Sequence, residues 1–261
     1  MFVVGAPSDK AFLQTLERIN QEKALGLQLQ WRTSEQLSQK SLPHFAATEP
    51  VFVAILKNVP TLVYYDGSAL IKLSPNWQSL AGRIVRAGRK SELLLQACKI
   101  TQEMKVVDAT AGFGHDGLIL ASTGARATLI EQNPIMALLL FYEHQSMKAH
   151  KNWQKLLGRV HIIFGSALEW LPRLSRVDLV YLDPMFPQNS HQAKVGKRMQ
   201  ILHHLLCPPS LNQERALLDA AKLSVDERAK VVVKRPVGAE YLARRQPVQS
   251  YANAALRFDV Y

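Results

Sequence analysis

The sequence contains a glycine-rich segment preceded by a carboxylate, and the types and spacing of these residues suggest a chemical function. Gly112, Gly114 and Gly117 fit the pattern GxGxxG, and Asp108 precedes them in the spacing DxxxGxG. Apolar residues lead into the segment as in a strand, and a helical pattern follows it. Glycines at such a turn let the backbone bend sharply and approach a ligand closely. The segment therefore predicts a cofactor-binding loop.

Two classes of cofactor fit this loop. Glu131 stands at the end of the next predicted strand, where a carboxylate accepts both ribose hydroxyls of an adenosine, so it suits NAD and S-adenosylmethionine alike. Asp108 favours S-adenosylmethionine, because a carboxylate attracts its ammonium and sulfonium and would repel the pyrophosphate of a dinucleotide. We expect S-adenosylmethionine, with an NAD-dependent oxidoreductase as the alternative.

A second motif follows the fourth predicted strand of the domain that carries the glycine-rich segment. The apolar run 177–182 leads into the tetrapeptide 183–186, Asp-Pro-Met-Phe, which resembles the Asp/Asn-Pro-Pro-aromatic signature of methyltransferases that modify exocyclic amines of bases. The lone pair of such an amine is delocalised into the ring. A carboxylate and a prolyl carbonyl that accept its N–H bonds localise it toward the methyl group. We expect Asp183, Pro184 and Phe186 to be catalytic, with Phe186 stacking on the base.

Basic residues cluster where a nucleic acid would be held. The chain has 32 Lys and Arg against 21 Asp and Glu, a formal net charge of +11, which favours polyanionic partners because each neutralised phosphate releases counterions. The carboxyl ends of parallel strands face the ligand crevice, so basic residues near them are expected to contact RNA phosphates. The residues predicted to do so are Arg86, Arg89, Lys194, Lys197, Lys234 and Arg235.

Other reactive residues give weaker signals. Cys98 and Cys207 form no CxxC pair, and the adjacent His203 and His204 lack metal-ligand spacing, so we expect no metal and no cysteine nucleophile. The N-terminus lacks the basic start and long apolar core of a signal peptide, and the apolar run near residues 135–142 is far too short for a membrane span. We expect a cytoplasmic protein without a membrane partner.

The elements that must position these residues follow from the hydrophobic pattern. Short apolar or β-branched runs alternate with helical stretches, which predicts a parallel sheet with right-handed crossovers. The tail at residues 254–261 predicts a last strand, in an antiparallel hairpin at the sheet edge. The expected fold is α/β, a class I Rossmann-like methyltransferase with a mostly parallel seven-stranded sheet. The predicted strands of the parallel part lie at residues 105–108, 125–131, 160–164, 177–183 and 229–234.

The first eighty residues have a different pattern. Residues 11–25 predict an amphipathic helix, and residues 62–73 predict a hairpin with a tight turn at Asp66-Gly67. We therefore expect a small N-terminal α+β lobe at residues 1–80 and the methyltransferase domain at residues 81–261.

Several of these stretches together resemble the ribosomal small-subunit methyltransferase J family. The resemblance covers residues 80–261 strongly and the first eighty residues loosely. It implies transfer of a methyl group to the exocyclic N2 of a guanine in 16S rRNA, with the rRNA or the small ribosomal subunit as partner. The stretches that carry it are VVDATAGFGHDG at 106–117, LIEQNP at 129–134, VYLDPMFP at 180–187, VVVKRP at 231–236 and RFDVY at 257–261.

The resemblance also implies which residues contact the cofactor. The family often has Arg where His115 stands, and often a second Ser where Ala167 stands, so only a backbone contact is expected at Ala167. A catalytically silent RNA-binding module that keeps the fold is a further alternative. Together with the glycine-loop analysis, the expected cofactor residues are Asp108, Gly112, Gly114, His115, Asp116, Glu131, Gln132, Ser166, Ala167 and Asp183.

Overall fold

Two β-sheets with helices packed against them organise the described part of the chain. The structure is a computed structural model and describes residues 1–34, 41–88, 91–174, 177–185, 201–202 and 205–261, without the side chains of residues 227 and 228. One sheet belongs to the N-terminal part of the chain and the other to the part that carries the glycine loop.

The N-terminal sheet has five strands. Its elements, with their helices, are β1 (Phe2–Gly5), α1 (Lys10–Glu22), β2 (Gln30–Thr33), α2 (Leu42–Ala46), β3 (Val51–Leu56), β4 (Val59–Tyr65) and β5 (Leu70–Leu73). The strand order is β2-β1-β3-β4-β5. β1 pairs in parallel with β2 and β3, whereas β3, β4 and β5 pair in antiparallel fashion. The α+β character expected of this lobe is therefore observed.

Both elements predicted in this lobe are present. The hairpin joins β4 to β5, and Asp66 Oδ1 accepts hydrogen bonds from the N–H groups of Ser68 and Ala69 at 2.8 and 2.6 Å. Helix α1 is shorter than predicted because the chain turns left-handed at Ala24, where φ is 50°. β1, β2 and β3 were not predicted; β1 and β3 are nearly buried throughout and show no polar alternation.

The large sheet carries the glycine loop. Its strands and helices are α3 (Ala81–Arg86), α4 (Leu93–Cys98), β6 (Lys105–Asp108), α5 (His115–Ser122), β7 (Arg126–Glu131), α6 (Pro134–Lys148), α7 (Lys151–Leu157), β8 (Val160–Phe164), α8 (Ala167–Trp170), β9 (Val177–Leu182), α9 (Leu211–Ser224), β10 (Val225–Pro236), β11 (Gln249–Ala252) and β12 (Leu256–Val260). The strand order is β11-β12-β10-β9-β6-β7-β8.

The strand directions confirm the expected class of fold. β8, β7, β6, β9 and β10 run parallel, and β12 is antiparallel to both β10 and β11. This is a mostly parallel seven-stranded sheet of class I Rossmann-like type, with the predicted terminal hairpin. β12 lies inside the sheet and β11 forms its edge.

The sheet register brings the predicted site residues to one edge. Asp108 on β6 is aligned with Leu129 on β7 and Tyr181 on β9, and Leu182 is aligned with Val233 on β10. The carboxyl ends of β6, β7, β9 and β10 therefore meet, which is where ligands bind in open α/β sheets.

An apolar core joins the two sheets. Trp77, which follows the N-terminal sheet, is fully buried in a cluster that also contains Val53 of β3 and Leu129 of β7. α1 also packs on α6, where the rings of Phe12 and Tyr142 lie 6.4 Å apart. Because the core is continuous, the division at residue 80 stays a prediction. No helix in the described ranges is long and apolar enough to cross a membrane.

Trp77 also anchors the glycine loop. Its Nε1–H donates to the carbonyl oxygen of Phe113 at 2.7 Å, and its backbone N–H donates to Glu143 Oε1 at 2.7 Å. Gly114 follows Phe113, so Trp77 holds the glycine loop in place through a hydrogen bond from the segment that follows the N-terminal sheet.

We expect Trp77→Phe to lower the free energy of unfolding by about 1–3 kcal/mol, because it leaves the buried carbonyl of Phe113 without its donor. The measurement is urea denaturation. Trp31→Phe, at a half-buried position on β2, is the matched control and should cost less. Equal losses in the two variants would show that the contact with the loop contributes nothing.

Candidate active site

The glycine loop runs from the end of β6 to the start of α5. Gly112 and Gly114 have φ of 55° and 74°, in the left-handed region that favours glycine. A Cβ on Gly114 would also lie 3.0 Å from side-chain carbons of Leu129 and Leu140. The loop is therefore pressed against β7 and α6, and glycine is required for that close approach.

Asp108 ends β6 with an incompletely paired carboxylate. Its side chain is 1% exposed, Oδ1 accepts a 3.3 Å hydrogen bond from the N–H of Thr110, and Oδ2 has no partner among the described residues. Burial, with repulsion from Asp116, raises the pKa of Asp108 well above its ordinary value. A buried oxygen without a partner is costly, so this carboxylate is suited to a cationic ligand.

Glu131 joins the end of β7 to the glycine loop. Its Oε2 accepts a hydrogen bond from the N–H of Gly112 at 2.7 Å, and its Oε1 accepts one from the N–H of Asn133 at 2.6 Å. Burial raises the pKa of Glu131 to about 7, against the lowering effect of these N–H groups. Each oxygen keeps a further lone pair, which is the acceptor capacity that a pair of ribose hydroxyls needs.

Ser166 and Ala167 follow β8, whose carboxyl end lies beside that of β7. Ser166 Oγ caps α8 by accepting a hydrogen bond from the N–H of Leu168 at 3.2 Å, and Ala167 is 8% exposed. The Ser166 hydroxyl is thus engaged in a helix cap, and Ala167 offers only its backbone and methyl group.

One cavity of about 520 Å³ contains these residues together. That volume is within the range of sites for cofactors and drug-sized molecules. It brings the ends of the parallel strands together with the segment before α9. Residues that line it include Asp108, Gly112, His115, Asp116, Glu131, Gln132, Ser166, Ala167, Asp183, Pro184, Leu206, Pro208, Gln213 and Lys234.

Asp183 lies at the end of β9 in this cavity. Its backbone N–H donates to Thr110 Oγ1 at 2.6 Å, which ties the second motif to the first. Its Oδ2 accepts a hydrogen bond from Lys234 Nζ at 2.8 Å, and the side chain is 34% exposed. Burial and the charge of Asp116 raise the pKa of Asp183, although Lys234 acts in the opposite direction.

Lys234 also contacts a second carboxylate. Its Nζ lies 2.8 Å from Asp116 Oδ2, which accepts a 2.7 Å hydrogen bond from the Tyr181 hydroxyl. Arg83 Nη2 lies 3.7 Å from Asp116 Oδ1. Burial alone would raise the pKa of Asp116, but these partners lower it below the ordinary value. Asp116 is therefore an ionised carboxylate that contacts the ammonium of Lys234, the guanidinium of Arg83 and the hydroxyl of Tyr181.

The RNA contacts predicted on β10 need correction. Arg235 is 3% exposed and pairs with Glu214 of α9 at 2.9 Å, so it does not line the crevice or meet phosphate. Lys234 does lie in the cavity, but its ammonium contacts Asp116 and Asp183. It is not a free phosphate contact. Neighbouring residues of a strand point to opposite faces, which accounts for the different surroundings of the two side chains.

The remaining predicted residues have varied placements. Arg86 is exposed on α3 and does not line the cavity. The His115 ring lines the cavity, and its Nε2 contacts the carbonyl oxygen of Pro75. Asp116 lines the cavity but faces protein groups, so its direct contact with a cofactor stays a prediction. The predictions that lie outside the described residues are those for Phe186, Arg89, Lys194 and Lys197.

Three residues of the site were not predicted. Tyr181 stands two residues before Asp183, and the period of a strand would have placed both on the same face. Arg83 lies three residues before Arg86, and charge alone does not distinguish the two. Thr110 carries no signal beyond its place in the glycine loop. Among the described residues, no group of three or more His, Cys, Asp or Glu is arranged to hold a metal ion.

The sheet order and the cavity at its strand ends define a class I methyltransferase. The chain matches the model of a family described as "Putative SAM-dependent methyltransferase" over residues 60–261. A solved structure titled as the SAM-dependent methyltransferase NGO1261 from Neisseria gonorrhoeae superposes with a TM-score of 0.71 at 26% identity, covering 100% of this chain and 95% of that one.

Two curated relatives identify the methyltransferase family more specifically. The "Ribosomal RNA small subunit methyltransferase J" of Psychrobacter arcticus is 48% identical over 253 residues, covering 89% of this chain and 82% of that protein. The protein of the same name from Acinetobacter baylyi is 38% identical over 204 residues, covering 73% and 74%. The chain belongs to the ribosomal RNA small subunit methyltransferase J family. Its cofactor is S-adenosylmethionine rather than NAD.

We expect Asp108→Asn to weaken binding of S-adenosylhomocysteine about tenfold to a hundredfold, because it removes the negative charge of a buried acceptor and can place an NH2 donor in its stead. The measurement is isothermal titration calorimetry. Asp178→Asn is the control, since Asp178 lies on β9 and its Oδ2 accepts a hydrogen bond from the N–H of Lys105, outside the cavity.

The pH dependence of the same titration gives a second outcome. Because the pKa of Asp108 is raised, protonation discharges it as the pH falls, so affinity for the cationic amine should fall with it. Asp108→Asn should flatten this dependence. An unchanged affinity and an unchanged pH profile in the variant would rule out Asp108 as a cofactor residue.

Proposed function

We propose that this protein transfers a methyl group from S-adenosylmethionine to the exocyclic N2 of a guanine in small-subunit rRNA. The observation that carries the proposal is the position of Asp183: its carboxylate lies at the end of β9, partly exposed, in the same cavity as Asp108 and Glu131. The names of the relatives support rRNA of the small subunit as the substrate class. The Asp-Pro-Met-Phe motif supports an exocyclic amine as the acceptor.

The cofactor fits the residues present. Asp108 has a buried oxygen without a partner, which suits the ammonium of the methionine end, and Glu131 has acceptor capacity for ribose hydroxyls. We propose that these residues hold the cofactor with the backbone of Gly112 and Gly114, and that Gln132, Ser166 and Ala167 lie along its adenosine. When bound, S-adenosylmethionine supplies an electrophilic methyl group on a sulfonium sulfur.

Asp183 is proposed to activate the amine. A guanine amine is a weak nucleophile because its lone pair is delocalised into the ring. The Asp183 carboxylate accepts an N–H bond of the amine, and the carbonyl of Pro184, which lines the same cavity, is a second acceptor. Together they orient the lone pair toward the methyl group.

Asp183 is also proposed to receive the proton. As the N–C bond forms and the S–C bond breaks, the nitrogen becomes positively charged and must lose a proton. Burial raises the pKa of Asp183 above that of an exposed aspartate, which improves its match to this task. No covalent intermediate with the protein is needed.

The RNA is proposed to be held by basic residues around the cavity. The formal net charge of +11 provides a general attraction to phosphates. Arg86 is exposed on α3, and Arg89, Lys194 and Lys197 keep their predicted roles as phosphate contacts, while Phe186 keeps its predicted role in stacking. We place the reaction in the cytoplasm, and we assign residues 1–80 to an N-terminal lobe and residues 81–261 to the methyltransferase domain.

The test of the reaction is product analysis. Purified protein, methyl-labelled S-adenosylmethionine and small subunits from cells that lack this protein are incubated together, and the rRNA is digested to nucleosides. We expect the label in N2-methylguanosine. Label in a different nucleoside would contradict the assignment of the acceptor atom, and no labelled rRNA would contradict the substrate class.

The test of the catalytic residue is Asp183→Ala. We expect the rate to fall about a hundredfold to ten-thousandfold, since an acceptor and proton acceptor is removed. Binding of S-adenosylhomocysteine should change far less than the rate, because Asp108 and Glu131 are retained and Asp183 is only one of the expected cofactor contacts. Asp178→Ala, a matched change at the other end of β9, should keep its activity. Full activity of Asp183→Ala would instead support a site that acts without this carboxylate.

A further inference from the structure

An ammonium between two carboxylates is the feature of the cavity that the proposed reaction leaves unexplained. Lys234 Nζ lies 2.8 Å from Asp183 Oδ2 and 2.8 Å from Asp116 Oδ2. Its side chain is 23% exposed, so the contacts are formed in a partly desolvated setting where they are stronger than on an open surface. A side chain held at this distance by two anions has little freedom to bind a phosphate.

We propose that Lys234 is a positioning residue for the methyl transfer: its ammonium fixes Asp183 through Oδ2, turns Oδ1 toward the substrate amine and keeps the carboxylate ionised. The proposal rests on the proposed function of Asp183. Within the described part of the chain, Oδ1 receives no hydrogen bond, so it is the oxygen left for the substrate. The carboxylate must be ionised there, because a protonated carboxyl presents an O–H donor to the amine and cannot take up the proton that the nitrogen loses.

Asp116 holds Lys234 from its other side. The Tyr181 hydroxyl donates to Asp116 Oδ2 at 2.7 Å, and Arg83 is placed between Asp116 and Glu92, whose Oε1 lies 2.7 Å from Arg83 Nη2. Four elements, α3, α5, β9 and β10, thus fix the position of one ammonium. Such a network is stiffer than a single ion pair between two mobile side chains.

The charges around Asp183 oppose one another. Burial and nearby carboxylates favour its protonated form, whereas the ammonium and the buried guanidinium favour its ionised form. Removing the ammonium should therefore leave a carboxylate that protonates more readily, and removing the neighbouring carboxylate should do the reverse. The charged or titratable groups that face Asp183 are Lys234 on β10, Asp116 on α5, Asp108 on β6 and Tyr181 on β9, and Arg235 acts on it electrostatically from the opposite face of β10.

The experiment compares pH profiles of the methylation rate at saturating cofactor for wild type, Lys234→Met and Asp116→Asn. Activity requires ionised Asp183, so each profile has an acid limb that rises with pH. For Lys234→Met we expect that limb to move to higher pH by about one to three units, with a loss of about tenfold at a fixed acidic pH for each unit. For Asp116→Asn we expect it to move to lower pH.

Shifts in opposite directions separate positioning from damage to the fold. A variant that merely folds poorly loses activity at every pH and does not move the limb. Lys230→Met, the same change on the same strand at a half-buried position, should keep the wild-type profile. Lys234→Arg keeps the charge and should keep the limb near its wild-type position, even if its planar guanidinium lowers the rate.

The methylated product and the affinity for S-adenosylhomocysteine distinguish a failure of the proposed function from a failure of the role of Lys234. If wild type forms no N2-methylguanosine, the proposed function fails whatever the variants do. If wild type forms it, and Lys234→Met leaves the acid limb in place or both variants move it the same way, the role of Lys234 is overturned. S-adenosylhomocysteine affinity, measured by calorimetry, should be the same for wild type and Lys234→Met, and a large loss would show that Lys234 holds the cofactor instead.

Discussion

The burial of several carboxylates at one edge of a parallel sheet is the constraint on which the site depends. A carboxylate that leaves water must gain partners or lose its charge. Glu131 gains two backbone N–H groups, and Asp116 and Asp183 share the ammonium of Lys234. Of these four carboxylates, Asp108 alone keeps a buried oxygen without a partner in the described part of the chain. These different surroundings support the different roles that we propose for the carboxylates: cofactor binding for Asp108 and Glu131, and catalysis for Asp183.

The fold supplies these partners from separate parts of the chain. The parallel register places the ends of β6, β7, β9 and β10 side by side, and the Thr110 hydroxyl joins the first motif to the second at Asp183. Trp77, in the segment that follows the N-terminal sheet, donates a hydrogen bond to the carbonyl oxygen of Phe113 in the glycine loop. A residue that follows the N-terminal sheet thus contributes to the shape of the glycine loop.

Much of this arrangement could be predicted from the sequence, because it depends on local patterns. Asp108, Glu131 and Asp183 each end a short apolar run, and parallel strands bring such ends together. The roles of Lys234 and Arg235 could not be predicted from charge alone, because both residues are basic. They differ because neighbouring side chains of β10 point to opposite faces, so that Lys234 lies in the cavity and Arg235 contacts α9. β1 and β2 were missed because they pair with strands distant in sequence, and β1 and β3 show no clear alternation of polar and apolar residues.

The central claim is that this cavity methylates the N2 of a guanine in small-subunit rRNA. The most direct measurement is mass-spectrometric mapping of methylated guanines in rRNA from cells with and without this protein. The account predicts that one N2-methylguanosine of the small subunit disappears, and that the wild-type protein restores it whereas Asp183→Ala does not. An unchanged methylation map, or a lost methyl group on a different atom or in the large subunit, would contradict the account.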